Sequence, residues 1–295
     1  MHNLVFRLED IEQHIHDAML SWEDHLHQIL LDKHLEARGN DLFKQYQQAF
    51  PVAYKDHFSP QVAAMDILRL KQVAKPGALS TYLYRAIDQS ELTLSFKVFG
   101  SGQPRTLSEV LPILEHMGVR VIHAHPYVIY QIGTADQWII NFVIAIDASI
   151  DLEGYAIKER FQEAFSQIYQ GRIDNDNYNR LVLLAGLNWR EVTLIRAISK
   201  YLSQIRVPFS QAYMQETLTS NPLLARSLMD LFDNRFNPHE VLDEQHQNLL
   251  LDNIHKALNQ VNNLDEDRII KQFLAVIQAI LRCNYYQLDS QGAAL

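Results

Sequence analysis

Thirteen histidines in a chain of 295 residues are the side chains best able to hold a metal or move a proton, so their spacing decides which chemistry is open. Helical ligands must stand three or four residues apart to share a face, whereas strand ligands share one at two apart. His14 and His16, like His25 and His27, lie two apart in helical stretches and point away from one another. Asp10 with His14, Glu12 with His16 and Glu23 with His27 meet at i,i+4, a spacing typical of solvated surface contacts. His123 and His125 differ, because a strand puts them on one face and Pro126 stiffens the backbone beside them. Two nitrogens make half a zinc site, and with no third ligand evident the pair reads as an edge-strand feature. The expectation is no metal site.

A second candidate is the loop Gly100-Ser101-Gly102-Gln103-Pro104-Arg105, placed between a strand and a helix where a phosphate-binding turn would lie. The dinucleotide fingerprint needs a third glycine for close helix packing, and Arg105 occupies that position. The loop is therefore not expected to cradle NAD. It leaves an anion-friendly helix N-terminus beside an arginine, suited to an amino-acid carboxylate, against the plainer reading of a simple turn. Gly100, Ser101, Gly102, Gln103 and Arg105 are the effector-binding candidates, and no catalytic residue is assigned. The chain has no Walker loop, no GxSxG elbow and no HExxH. Asp265-Glu266-Asp267 and Asp174-Asn175-Asp176 sit where helices begin, so capping explains them.

These residues need elements to hold them. Residues 7 to 50 read as helix, with an apolar stripe through Ile11, Ile15, Ala18, Leu26 and Leu30 and an interruption near Arg38-Gly39-Asn40. Pro51 and Ser59-Pro60 punctuate it, and a short helix runs from Gln61 to Lys71. Lys75-Pro76-Gly77 marks a border. From Leu79 to Ile146 the period falls to two: Leu79 to Ala86 pairs with Leu92 to Val98 across residues 87 to 91, with Leu92, Leu94, Phe96 and Val98 inward and Thr93, Ser95 and Lys97 on a wetter face. A capping box of Thr106 and Glu109 opens a helix that Gly118 ends. Strands follow at Val119 to Ile122 and Trp138 to Ile146, then a helix from Ile157 to Tyr169. Beyond Gly171 the pattern is helical, over roughly 174 to 185, 189 to 205, 210 to 219, 222 to 235, 239 to 261 and 265 to 283, with a frayed tail. In the helix starting at Trp189, the residues Val192, Ile195, Ile198, Leu202 and Ile205 face a core.

The fold class is α+β, mainly helical, with a small antiparallel sheet between two helical segments. Three domains are expected: 1–74, 75–170 and 171–295. A composition of 47% hydrophobic and 21% charged residues is that of a globular protein, and a net charge of −9 argues against a nucleic-acid or acidic-membrane binder. The single Cys283 excludes an intrachain disulfide, reads as a small buried hydrophobe in a helix, and suits a reducing cytosol. With no signal peptide and no apolar run of about 18 residues, the expected location is the cytoplasm.

The phrase Ala185-Gly186-Leu187-Asn188-Trp189-Arg190-Glu191-Val192 resembles the large bacterial NAD-dependent glutamate dehydrogenases, in their regulatory and helical region. Five further phrases resemble the same family in the same order. They are AFPVAYKDHFSP (Ala49 to Pro60), LEHMGVRVIHAHPY (Leu114 to Tyr127), FQEAFSQIYQG (Phe161 to Gly171), NPLLARSLMDLFDNRFNP (Asn221 to Pro238) and LDEDRIIKQFLAVIQAILRCNYYQ (Leu264 to Gln287). Tyr169 departs from the tryptophan usual there. The helix-Met-Gly-strand phrase Leu114 to Ile122 is similar to ACT modules, regulatory ligand-binding or dimerising units whose strand-helix loop takes effectors.

The resemblance implies oxidative deamination of L-glutamate to 2-oxoglutarate and ammonium, with hydride passed to NAD. It places the catalytic lysines and dinucleotide fold after Asn284-Tyr285-Tyr286-Gln287, beyond Leu295. The chain is thus expected to be a non-catalytic segment that binds no cofactor and partners a catalytic domain, fused or separate. A small amino-acid effector and a homo-oligomer are also expected. An autonomous ACT-like binding or dimerisation module is the alternative.

Overall fold

The computed structural model describes residues 20–75, 77–86, 92–131, 136–148, 150, 157–239 and 244–287. The readings for Asp10, Ile11, Glu12, His14, Ile15, His16 and Ala18, for the turn 87–91 and for the tail lie outside these residues. Contacts within the chain group the described parts of 1–87, 94–105 and 122–143 into one compact unit, and those of 88–93, 106–121 and 144–295 into another.

The first unit starts with four helices: α1 (Trp22–Lys33), α2 (Glu36–Tyr46), α3 (Val52–His57) and α4 (Pro60–Gln72). A reciprocal box between Ser21 and Asp24 satisfies the first free donors of α1. The break expected at Arg38-Gly39-Asn40 instead falls at His34-Leu35, where the backbone turns extended. Gly39 lies inside α2 because that helix packs on α1 so closely that a Cβ there would meet the Leu30 carbonyl oxygen at 2.8 Å. Its missing side chain serves contact, so the glycine misleads as a breaker.

Four strands, β1 (Leu79–Tyr84), β2 (Thr93–Ser101), β3 (Arg120–Ile129) and β4 (Gln137–Ala145), form an antiparallel sheet in the order β1-β2-β4-β3. Leu79 stands opposite Gly100 and Tyr84 opposite Ser95. The helices lay Leu26, Leu30, Leu42, Tyr46, Tyr54, Ile67 and Leu70 against Phe99, Tyr127, Ile129 and Ile139 of the sheet. Gln137 anchors that contact by donating to the Leu70 carbonyl at 2.7 Å.

The wetter face expected for β2 does not exist. Leu94 to Gly100 are all buried, Ser95 is 4% exposed and Lys97 not at all. As an inner strand β2 is covered on both faces, which alternation in one strand cannot announce. Lys97 is tolerated there because Asp66 of α4 meets its ammonium at 2.5 Å, and the Tyr54 hydroxyl donates to the same carboxylate oxygen at 2.6 Å. The Phe58 ring lies 3.7 Å from Nζ, adding its negative face. Burial raises the Asp66 pKa and lowers that of Lys97, each partly opposed by the partner.

In the second unit, the capping box of Thr106 and Glu109 opens α5 (Leu107–His116), with Pro112 inside it, and α6 spans Ile157–Tyr169. A 3-10 turn (Asn177–Arg180) leads into α7 (Leu181–Leu184), α8 (Trp189–Gln204), α9 (Gln211–Ser220), α10 (Pro222–Phe236), α11 (Glu244–Leu258) and α12 (Leu264–Ala279). Asn188 caps α8 by accepting from the Arg190 and Glu191 amides. Val192, Ile195, Ile198 and Leu202 are buried as expected, whereas Ile205 is 52% exposed, just past the helix end. Cys283 is also a correction: α12 stops at Ala279, and the thiol lies in an exposed non-helical stretch beside Leu281, which is 89% exposed. Among the described residues no helix is long and apolar enough to cross a membrane.

Replacing Lys97 with Met leaves Asp66 buried without its counter-charge, so urea unfolding should show a loss of about 3–5 kcal/mol. Adding Asp66→Leu should recover part of it; a double variant no better than the single one would deny the ion pair its role. Gly100→Ala puts a Cβ 2.2 Å from the Trp138 ring and should cost about 1–3 kcal/mol by the same measurement.

Candidate functional site

The loop at the end of β2 is held together by its own chain. Ser101 Oγ donates to the Lys75 carbonyl at 3.1 Å, and the Gly102 amide donates to the Asp136 carbonyl at 2.9 Å. Gly100 is buried against Trp138, so its lack of a side chain is spent on packing. Gln103 and Arg105 are exposed, and nothing stands within 4 Å of where a Gly102 Cβ would be. The exposed polar side chains of the loop are thus Gln103 and Arg105, and Arg105 already takes part in an interaction within the chain.

His123 and His125 do share one face of the edge strand β3, with ring centroids 6.1 Å apart. The structure adds a neighbour that sequence reasoning missed: His57, at the end of α3, lies 5.1 Å from the His125 ring. His57 Nδ1 is 2.7 Å from the Tyr127 hydroxyl, whose ring meets Tyr54 edge-on at 5.3 Å. A path of contacts therefore leads from the surface imidazoles to the buried Asp66 and Lys97. Separations of 66 and 68 residues gave no local signal for His57. Among the described residues no group of three or more His, Cys, Asp or Glu side chains is placed to share one metal ion. His25 and His27 also part company, since His27 stacks on Phe43 at 4.1 Å and bonds Asn40, while Glu23 pairs with Lys55.

The corner between α7 and α8 gathers a dense set of polar contacts in the second unit. The Gly186 carbonyl accepts from Arg160 and, at 3.4 Å, from Arg226, which also reaches Glu191 at 2.8 Å and Asp230 at 2.9 Å. Arg190 stacks on Tyr285 with 4.5 Å to the ring centre and donates to that residue's carbonyl. Trp189 donates to Glu163 at 2.8 Å and Tyr286 to Asp233. A cleft of about 330 Å³ opens among these groups, but their hydrogen-bonding capacity is already turned inward. Nearby, the guanidinium of Arg196, 4% exposed, grips Asp176 through two bonds of 2.7 and 2.9 Å and Asn179 through a third. Capping explains only part of the Asp174 to Asp176 cluster, because Asp174 also meets Lys200 at 2.6 Å.

Burial, then His57 and His123, push the His125 pKa below its ordinary value of 6.5. The unfolded chain therefore takes up a proton that the folded one resists. The resulting stabilisation is present above pH 6.5 and is lost as pH falls from there through the lower value of the folded chain. Melting temperatures between about pH 7 and 5 should fall less steeply for His125→Gln than for the unaltered chain; parallel slopes would remove the effect.

Four family models match in succession. Residues 29–73 match glutamate dehydrogenase helical motif 2, 78–156 the glutamate dehydrogenase ACT3 domain, and 173–238 helical motif 3. Residues 253–295 match the catalytic domain of bacterial NAD-glutamate dehydrogenase, so the family draws that border ahead of α12 rather than after Gln287. NAD-specific glutamate dehydrogenases of Halomonas elongata and Pseudomonas aeruginosa are 34% and 35% identical over 97% and 96% of this chain. That of Mycobacterium tuberculosis is 33% identical over 84%. The chain spans 18% of the length of each of the first two relatives and 16% of the third. With an ACT3 domain set between helical motifs 2 and 3 of glutamate dehydrogenase and these relatives matched along nearly its whole length, the chain belongs to the NAD-specific glutamate dehydrogenase family.

Proposed function

We propose that this chain is the regulatory and helical-scaffold portion of an NAD-dependent glutamate dehydrogenase, acting beside a catalytic domain in the cytoplasm and within a homo-oligomer. The observation that carries the reading is the succession of helical motif, ACT3 domain and helical motif over most of the chain. The reaction would be the conversion of L-glutamate, NAD and water to 2-oxoglutarate, ammonium and NADH. That chemistry needs lysines to hold the carboxylates and polarise the substrate, together with a cradle for the dinucleotide.

The residues present favour a supporting role. The stretch 253–295 contains two lysines, Lys256 and Lys271, and the second is paired with Asp267 at 2.8 Å. Its one glycine is Gly292, short of a Gly-Gly-rich turn. Arg105 stands where a dinucleotide loop needs glycine, and Gly100 is committed to Trp138. Gly100, Ser101, Gly102, Gln103 and Arg105 stay in this reading as an effector loop, with Arg105 as its cation. The alternative, an autonomous ACT-like module that binds an amino acid or dimerises, is supported by the position of β3 at the end of the strand order β1-β2-β4-β3 among the described residues.

The purified chain given L-glutamate and NAD should produce no NADH above a protein-free blank, and NAD should leave its melting temperature unchanged. Turnover by the chain alone would overthrow the reading.

A further inference from the structure

The second unit holds a cavity of about 620 Å³ where α5 ends and β3 begins, within the roughly 300–1,000 Å³ range of small-molecule sites. Gly118, with φ +85°, turns the chain there. A Cβ at this position would stand 3.3 Å from Arg180 Cγ, so the aliphatic stem of Arg180 lies across the turn. Arg180 and Arg120 both line the cavity, and among the described residues neither guanidinium meets a hydrogen-bond or ion-pair partner. Exposed guanidiniums lining one concavity are each able to bind a carboxylate through two N–H groups.

The opposite charge is also present. Two carboxylates line the same cavity: Asp147, which has a partner of its own, and Glu115, unpaired among the described residues and beside the C-terminal end of α5, where the helix dipole is negative and favours a cation. Leu183 and Leu184 of α7 and Val119 supply apolar wall. A pair of guanidiniums, a carboxylate at a helix C-terminus and an apolar wall are complementary to a carboxylate, an ammonium and a side chain on one small molecule.

We propose that this cavity binds a free α-amino acid, with its carboxylate on Arg120 and Arg180, its ammonium at Glu115 and its side chain against Leu183 and Leu184. The inference rests on the regulatory reading above and adds an amino-acid site at the α5–β3 turn. It also gives Arg180, at the end of the 3-10 turn before α7, a part in sensing, so that a ligand would join helical motif to ACT-like strand within one unit.

The test is thermal melting of the whole chain with glycine, L-alanine, L-leucine, L-aspartate and L-glutamate added singly, repeated for each responder with its deaminated acid and decarboxylated amine. At least one amino acid should raise the melting temperature saturably, and both trimmed analogues should bind about tenfold more weakly or worse. Arg180→Gln and Glu115→Gln, checked for unchanged circular dichroism, should weaken binding by a similar factor, while Lys71→Ala, at an exposed position near the end of α4, should leave it as it was. Failure of all five amino acids to bind would overturn the proposal, as would a deaminated acid binding equally well or binding left unchanged by both Arg180→Gln and Glu115→Gln. Each of those results leaves the scaffold reading standing, since that depends on the separate absence of NADH formation.

Discussion

An ammonium and a carboxylate shut away from water govern the first unit. Lys97 on an inner strand and Asp66 on α4 neutralise one another at 2.5 Å, and Tyr54 on α3 closes the group through its hydroxyl. Neither charge is tolerable alone at that depth, so the register of β2 and the docking of α3 and α4 are set together. An apolar core accepts small slips along its face, whereas this pair does not. The aromatic rings around it, Phe58 above the ammonium and Tyr127 against Tyr54, extend the same constraint outward to the histidines of β3.

Much of the second unit rests on a different device, arginines that bond carbonyl and carboxylate oxygens across helices. Arg196 ties α8 to the 3-10 turn, Arg226 joins the Gly186 carbonyl to Glu191, and Arg235 reaches the Ile277 carbonyl at the end of α12. A planar fork of donors suits such duty, because helix ends leave carbonyls without intrahelical partners. The phrase Ala185 to Val192, a turn and a cap by local rules, is in three dimensions a hub for those forks.

What the sequence made legible was local. The box of Thr106 with Glu109, the turn at Gly118, the cap at Asn188 and the span of α6 all follow from residues a few positions apart, and each stands where it was expected. Features set by distant neighbours were hidden. Lys97 looked like a solvent-facing residue because nothing in its strand reveals cover on both faces, and Gly39 looked like a break because nothing reveals that α1 lies within touching distance. His57 could not be joined to His125 without the sheet. The helical pattern continued past Ala279 in the sequence, yet Ile280 turns extended, so Cys283 emerges from the apolar run into solvent.

That emergence bears on any study of assembly. A thiol open to solvent, in a chain without a second cysteine, can be oxidised to a disulfide only by joining another molecule. Two copies linked through their tails would then migrate as a covalent pair whether or not their folded surfaces attract. Association of this chain therefore has a genuine meaning only under reducing conditions, where the sulfur is silent and packing alone speaks.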